Sequence, residues 1–272
     1  MISFFKRRIN KRKYHSMNEF LFYGRLFLGM MLLFTLGRIV FYIFNASLFS
    51  SMSFSGFLTI LWGGVMFDLS ALLYMNIPLF FFGILPWPYK FTYPYQTVLK
   101  YIFLIVNGLG LLFNGVDIIY YRFILKRTTM SVFSIIENEN NLFKLFLQFV
   151  YDFWFVALFI VFTWWLMAKL YGKITPKATA FRKSWMYYAT GIGVFLVTAV
   201  LAIGGMRGGF AHSTRPITLS NAGDFVESPD QAAIVLNTPF CLIRTVNVTS
   251  FTHYDFFKDK NELDKVFTPI TT

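Results

Sequence analysis

Apolar residues in this chain fall into five long runs that short polar segments separate. A helix needs about 20 mostly apolar residues, at about 1.5 Å each, to cross about 30 Å of hydrocarbon. Each run meets that length, so the pattern predicts five transmembrane helices. Their approximate bounds are 20–44, 57–85, 98–121, 149–170 and 185–206.

The polar segments predict what flanks these helices. Residues 1–19 form a basic head, and residues 207–272 form a carboxy-terminal linker. Residues at about 129–139 have the composition of a short amphipathic helix on the outer membrane surface, although an ordinary polar connector fits them equally well. The predicted fold class is an all-α membrane protein, a bundle of five transmembrane helices with a short extracytoplasmic carboxy-terminal linker.

The composition favours a lipid environment. Hydrophobic residues make up 56% of the chain and charged residues 14%, whereas soluble domains have about 45–50% and about 25%. The 36 Phe, 15 Tyr and 6 Trp residues add to this surplus, because aromatic rings are tolerated in hydrocarbon and Trp and Tyr favour its edges. A soluble fold of this size could not bury so much apolar surface.

The net charge of +12 comes from clusters near the predicted membrane boundaries rather than from one basic face. We therefore expect no nucleic acid as a partner. Lys and Arg in short loops favour the cytoplasmic side of a membrane. Their distribution predicts a cytoplasmic amino terminus and an extracytoplasmic carboxy terminus. Six of them directly precede the first apolar run: Lys6, Arg7, Arg8, Lys11, Arg12 and Lys13.

Ionisable residues inside the predicted spans are candidates for function, because a charge in hydrocarbon costs about 2.5–3.5 kcal/mol on insertion scales. Arg38 lies on the first span and Asp68 on the second, at depths that allow them to meet. They are a candidate intramembrane ion pair. A purely structural link between neighbouring helices explains them as well as a functional role does.

The third predicted helix carries a polar seam: its polar and glycine residues recur at steps of three or four and share one face. The seam either packs against other helices or faces a groove near the outer leaflet. In the second case Arg and Lys beside it would match the charge of a phospholipid phosphate. The candidate lipid head-group residues are Asn114, Asp117, Arg122, Lys126 and Arg127.

Catalytic and metal motifs are absent from the sequence. Cys241 is the only cysteine, so no intramolecular disulfide can form. His15, His212 and His253 lie far apart and have no metal-ligand spacing. We expect no catalytic residue, no metal site and no cofactor on this chain.

The chain resembles a known family in its basic head, its five spans, Phe67-Asp68 within the second span, and residues 116–123, 215–223 and 233–240. These features are similar to the amino-terminal membrane half of the lipoteichoic acid synthase family. That family is sulfatase-like, belongs to the alkaline phosphatase superfamily, and is related to phosphoglycerol and phosphoethanolamine transferases.

The resemblance implies that the membrane part and the catalytic part of the protein have separate roles. In that family a catalytic domain follows the linker, and its metal-activated threonine takes a phosphorylated head group from a membrane phospholipid. This chain is then a membrane anchor and lipid-presenting module, not catalytic by itself, and the divalent metal belongs to a catalytic domain absent from these 272 residues. The implied partners are a membrane phospholipid and that domain, and the implied location is the bacterial cytoplasmic membrane.

Two alternatives remain open at this point. The membrane part could tether a sulfatase or phosphatase that acts on soluble substrates. A non-enzymatic transporter or channel could instead use Asp68 and Asp117 as ion-path residues.

Overall fold

The computed structural model describes residues 16–133, 141–172, 175–177, 184–211 and 213–246. Most of residues 1–19 and residues 247–272 lie outside this part. Its regular secondary structure is helical, apart from a three-residue parallel pairing of strand β1 (Ser16–Asn18) with strand β2 (Thr175–Lys177).

Five helices of the described part are long and apolar enough to cross a membrane, as the hydrophobic pattern predicts. They also expose large apolar side chains: Leu32 is 72% accessible and Trp62 is 67% accessible. Such surfaces suit hydrocarbon, and a helix suits it too because its backbone groups bond to one another. The chain is a multi-pass membrane protein. The five helices are α1 (Glu19–Asn45), α2 (Phe54–Met75), α4 (Tyr93–Ile124), α6 (Trp154–Tyr171) and α7 (Ser184–Arg207).

The second apolar run divides into two helices rather than one. Helix α2 ends at Met75, and α3 (Ile77–Ile84) begins after Asn76. Pro78 has no backbone N–H, and in a continuous helix its ring would collide with the carbonyl of Tyr74. The run predicted at 57–85 therefore bends at the junction.

The predicted surface helix at about 129–139 is described only up to Phe133, and its remainder lies outside the described residues. The structure places an amphipathic helix further along the chain, α5 (Leu142–Asp152). Phe143, Phe146 and Tyr151 are all exposed on it. A break at Phe153 separates α5 from the spanning helix α6.

After α7 the chain returns to the bundle. Helix α7 ends where Gly208 adopts a φ of +82°, a conformation that costs other residues more than glycine. Residues 219–245, called here the returning segment, then form two short 3-10 helices and two short α-helices. These are the 3-10 helices Leu219–Phe225 and Pro229–Gln231, then α8 (Ala232–Val235) and α9 (Thr238–Thr245).

The returning segment belongs to the bundle core. Helix α8 packs on α1 and α2, and α9 packs on α2 and α4. Ile234, Val235 and Phe240 are fully buried, and the Phe240 ring meets the Phe67 ring edge to face at 4.9 Å. The described part of the predicted linker is therefore a fixed element of the fold. It covers the end of the bundle at which α1 ends and α2 begins, called here the docking end.

Candidate functional site

A buried ion pair joins α1 to α2 near the docking end. Arg38 Nη1 donates to Asp68 Oδ2 at 2.5 Å, and Arg38 Nη2 donates to Asp68 Oδ1 at 2.7 Å. The two residues are only 3% and 0% accessible. A paired, planar contact of this kind fixes both the distance and the angle between the side chains.

The returning segment completes this pair. Arg38 Nε donates to the Ile234 carbonyl at 2.8 Å, and Nη2 donates to the Val235 carbonyl at 3.0 Å. The amide nitrogen of Asn237 donates to Asp68 Oδ1 at 2.8 Å. We call Arg38, Asp68 and Asn237 the first ion-pair centre. The returning segment supplies hydrogen bonds to both charges from 169 to 197 positions later in the chain.

A second buried ion pair lies at the end of α4. Arg127 Nη1 donates to Asp117 Oδ2 at 3.1 Å. Asp117 also accepts from the Thr128 hydroxyl at 2.6 Å and from the Thr238 hydroxyl at 2.7 Å. We call these four residues the second ion-pair centre. It too joins a spanning helix to the returning segment.

Arg127 is held from several sides. Its Nε donates to the Ala233 carbonyl at 2.8 Å, and its guanidinium carbon lies 3.5 Å from the centroid of the Phe41 ring. Arg groups favour such stacking on aromatic faces. The guanidinium therefore links α1, α4 and the segment before α9 at one point.

Two consecutive side chains at the start of α9 reach the two centres. The Asn237 side-chain oxygen accepts from the Phe240 N–H at 2.8 Å and so caps α9, while its amide group donates to Asp68. Thr238 donates its hydroxyl to Asp117, and its backbone N–H donates to the side-chain oxygen of Asn114 at 3.0 Å. Pro239 suits the first turn of a helix, where its missing N–H costs nothing.

The structure does not bring all five candidate head-group residues together. Asn114, Asp117 and Arg127 come together, but their polar atoms bind other parts of the protein. Arg122 lies elsewhere, with its guanidinium carbon 5.1 Å from the Phe44 ring centroid. Lys126 is exposed and lines a cavity. Of the five, only Lys126 is both exposed and part of the cavity lining.

The cavity has a volume of about 330 Å³ and lies at the docking end, between the ends of α1 and α4 and beneath the returning segment. Its polar lining includes Lys126 and Asp230. The Asp230 carboxylate accepts from the Ser50 backbone N–H at 2.6 Å and from the Ser50 hydroxyl. Hydrogen bonds lower the pKa of Asp230 to about 2, and the one from Ser228 contributes more than each of those from Ser50. This carboxylate is charged at neutral pH.

Cys241 also lines the cavity, and it is 1% accessible. Burial raises the pKa of its thiol to about 12, so the thiol is uncharged at neutral pH. Nucleophilic chemistry needs the thiolate, and this environment suppresses it. Among the described residues, no cluster of three His, Cys, Asp or Glu could hold a metal ion.

Asn237, Thr238, Asp230 and Ser50 were not predicted from the sequence as site residues. The local signal that could have found the first two is the Asn-Thr-Pro order, which is typical of a helix amino terminus. Asp230 and Ser50 have no such signal, because their contact joins loops 180 positions apart.

No protein-family model, curated protein or solved structure matches this chain.

Proposed function

We propose that this chain is the membrane anchor and lipid-presenting module of a lipoteichoic acid synthase-like, sulfatase-family enzyme. That enzyme would transfer a phosphorylated head group from a membrane phospholipid, with the chemistry on a sulfatase-like catalytic domain. One observation carries the proposal: the returning segment is fixed at the docking end by two buried ion-pair centres, directly over a cavity with charged residues.

A fixed returning segment suits a module that holds a catalytic domain in one position. A simple tether needs only a flexible linker, whereas residues 233–238 bind two buried Arg residues and two buried Asp residues. A catalytic domain held at this end would keep a constant distance from the cavity and the membrane surface. Such fixed placement of reacting groups is a large part of enzymatic rate enhancement.

The proposal includes a location and an orientation. We place the protein in the bacterial cytoplasmic membrane, with the amino terminus in the cytoplasm and the docking end outside. The bias of Lys and Arg toward the predicted inner loops supports this orientation.

The transporter or channel alternative is less favoured by the geometry. A carboxylate that passes ions along a path has to exchange partners. Asp68 instead binds Arg38 and Asn237, and Asp117 binds Arg127, Thr128 and Thr238. Both carboxylates are fully buried.

The test is an assay of the native polypeptide, purified from its source membrane with any associated partner. It is reconstituted into liposomes that contain phosphatidylethanolamine or phosphatidylglycerol labelled in the head group. Transfer of the head group with its phosphate forms a bond between phosphorus and the acceptor oxygen. It breaks the bond between phosphorus and the oxygen of the diacylated glycerol, which takes up the acceptor's proton and leaves as diacylglycerol. We expect diacylglycerol to accumulate.

Two other results would contradict the proposal and identify the alternatives. Hydrolysis of soluble sulfate or phosphate esters without diacylglycerol would indicate a tethered sulfatase or phosphatase. Ion flux across the same liposomes, abolished by Asp68→Asn or Asp117→Asn with the fold intact, would indicate a transporter or channel.

A further inference from the structure

The cavity lies at the ends of two membrane-spanning helices. Leu48 lies at the end of the first spanning segment, and Tyr121 and Leu125 lie at the end of α4. The ends of membrane-spanning helices meet the polar layer of the bilayer. Leu219 and Leu236 of the returning segment add apolar lining. The cavity thus combines apolar walls with charged side chains at a membrane boundary.

The side chains that line the cavity carry charges of both signs. Arg127 lines the cavity, but Asp117 neutralises it. The Cys241 thiol is uncharged, as described above. Lys126 and Asp230 are left, and in the described part of the chain neither forms an ion pair. Among the described residues, the cavity therefore has one positive charge, on Lys126, and one negative charge, on Asp230, that no ion pair neutralises.

The negative charge is held in place by neutral groups. The Ser50 backbone N–H and hydroxyl donate to the Asp230 carboxylate, which keeps its full charge. The positive charge lies on the segment that follows α4, where Leu125 adopts a left-handed φ of 55° and redirects the chain. Two separate elements thus present opposite charges to one space.

We infer that this cavity binds the head group of a zwitterionic phospholipid of the phosphoethanolamine type. The phosphate diester lies against the Lys126 ammonium, and the primary ammonium of the head group lies against the Asp230 carboxylate. A net-neutral cavity with separated charges matches a net-neutral ligand with separated charges. An anionic phosphoglycerol head group would pair with Lys126 but would offer no positive charge to Asp230.

The inference rests on the proposed function, because it names the lipid class that the module would present. The lipid, rather than a free head group, is the occupant that we favour. The apolar lining and the position at the ends of α1 and α4 suit a molecule whose acyl chains remain in the bilayer.

The test is lipid retention by the full chain in native mass spectrometry, with phosphatidylethanolamine and phosphatidylglycerol of identical acyl chains. A charge-assisted contact with Asp230 predicts about a tenfold preference for phosphatidylethanolamine. We expect Asp230→Asn to abolish this preference without weakening phosphatidylglycerol binding. Lys126→Ala should weaken both lipids, because both carry the phosphate.

Matched controls separate charge from folding. Lys144→Ala removes another exposed Lys, on α5 outside the cavity, and should change neither lipid. Ser50→Ala removes a hydroxyl contact to Asp230 but keeps the carboxylate, and should retain the preference. If Ser50→Ala reduced the preference for phosphatidylethanolamine as much as Asp230→Asn does, the Asp230 charge could not be the cause of that preference. Lipid retention by each variant is measured at a temperature that lies the same number of degrees below its own thermal unfolding temperature.

Soluble glycerophosphoethanolamine distinguishes the source of the ligand. We expect it to bind at least about tenfold more weakly than the lipid, because it has no acyl chains. Equal binding would overturn the assignment to a membrane lipid. Equal retention of both lipids by the unmodified protein would overturn the inference as a whole.

The two proposals fail in different ways. A phosphatidylethanolamine preference without any diacylglycerol formation contradicts the proposed function and leaves the cavity assignment standing. If diacylglycerol forms but the protein shows no lipid preference, only the cavity assignment is contradicted. The same holds if Asp230→Asn leaves a preference for phosphatidylethanolamine unchanged.

Discussion

Asn237 donates a hydrogen bond to Asp68 across 169 positions of sequence, at 2.8 Å, and both residues are buried. The same Asn237 caps the helix that follows it. This one side chain therefore fixes both the start of α9 and its position on the bundle. The two ion-pair centres are the physical basis of the proposed role.

Asp68→Asn tests the first ion-pair centre. It leaves the buried Arg38 charge without its carboxylate, and breaking one side of a buried pair costs about 3–5 kcal/mol. We expect a large fall in the free energy of unfolding, measured by denaturation in detergent micelles. The double variant Arg38→Met with Asp68→Leu should recover most of the loss, since apolar residues replace both charges. Equal stability of Asp68→Asn and the unmodified chain would contradict the burial of this pair.

Thr238→Val tests the contact between α9 and the second centre. Valine has nearly the same shape but cannot donate to Asp117. A hydrogen bond to a charged group contributes about 1.5–3 kcal/mol, and thermal unfolding should show a loss of that size. Thr59→Val is the matched control, because its hydroxyl bonds within an exposed turn of α2. A loss no larger than in this control would contradict the Asp117 contact.

Gly64→Ala tests the close approach of α1 and α2. A Cβ at Gly64 would collide with the guanidinium of Arg38, which its buried partners hold in place. We expect a clear fall in the unfolding temperature. Gly37→Ala on α1 is the control, because no atom lies within 4 Å of its added Cβ. It should be neutral or stabilising, by up to about 1 kcal/mol of helix propensity. Similar effects of the two substitutions would contradict the packing.

The contact between Ser50 and Asp230 should depend on pH. The pKa of Asp230 is about 2 in the folded chain, below its ordinary value of about 3.9. Because the folded pKa is the lower one, the stabilisation is present above about pH 4 and is lost as pH falls through about 2. Hydrogen exchange of the Ser50 amide, corrected for its intrinsic pH dependence, should accelerate over that window. Asp230→Asn should remove the acceleration, and an unchanged rate in the unmodified chain would contradict the hydrogen bond.

The five spans could be predicted from the sequence because an apolar run of sufficient length is a local property. The division of the second run was not predicted, although Pro78 is a local signal for it. Arg38 and Asp68 could be paired from their depth alone, and the structure joins them.

Other parts of the site depend on contacts that no local pattern carries. Arg122, Lys126 and Arg127 look equivalent in sequence, yet the left-handed turn at Leu125 brings only Arg127 to Asp117. The sequence predicts a linker at the returning segment because its apolar residues follow no long periodic pattern. Its docking depends on Asn237 and Thr238, whose partners lie more than a hundred positions away.

Hydrogen–deuterium exchange of the full chain in lipid nanodiscs tests the central claim most directly. The N–H groups of Thr238, Phe240 and Cys241 in the returning segment are all hydrogen-bonded. We predict that peptides covering α9 exchange as slowly as peptides from the spanning helices, and that Asp68→Asn speeds their exchange. Complete exchange of α9 within seconds in the unmodified chain would contradict a fixed returning segment and the function built on it.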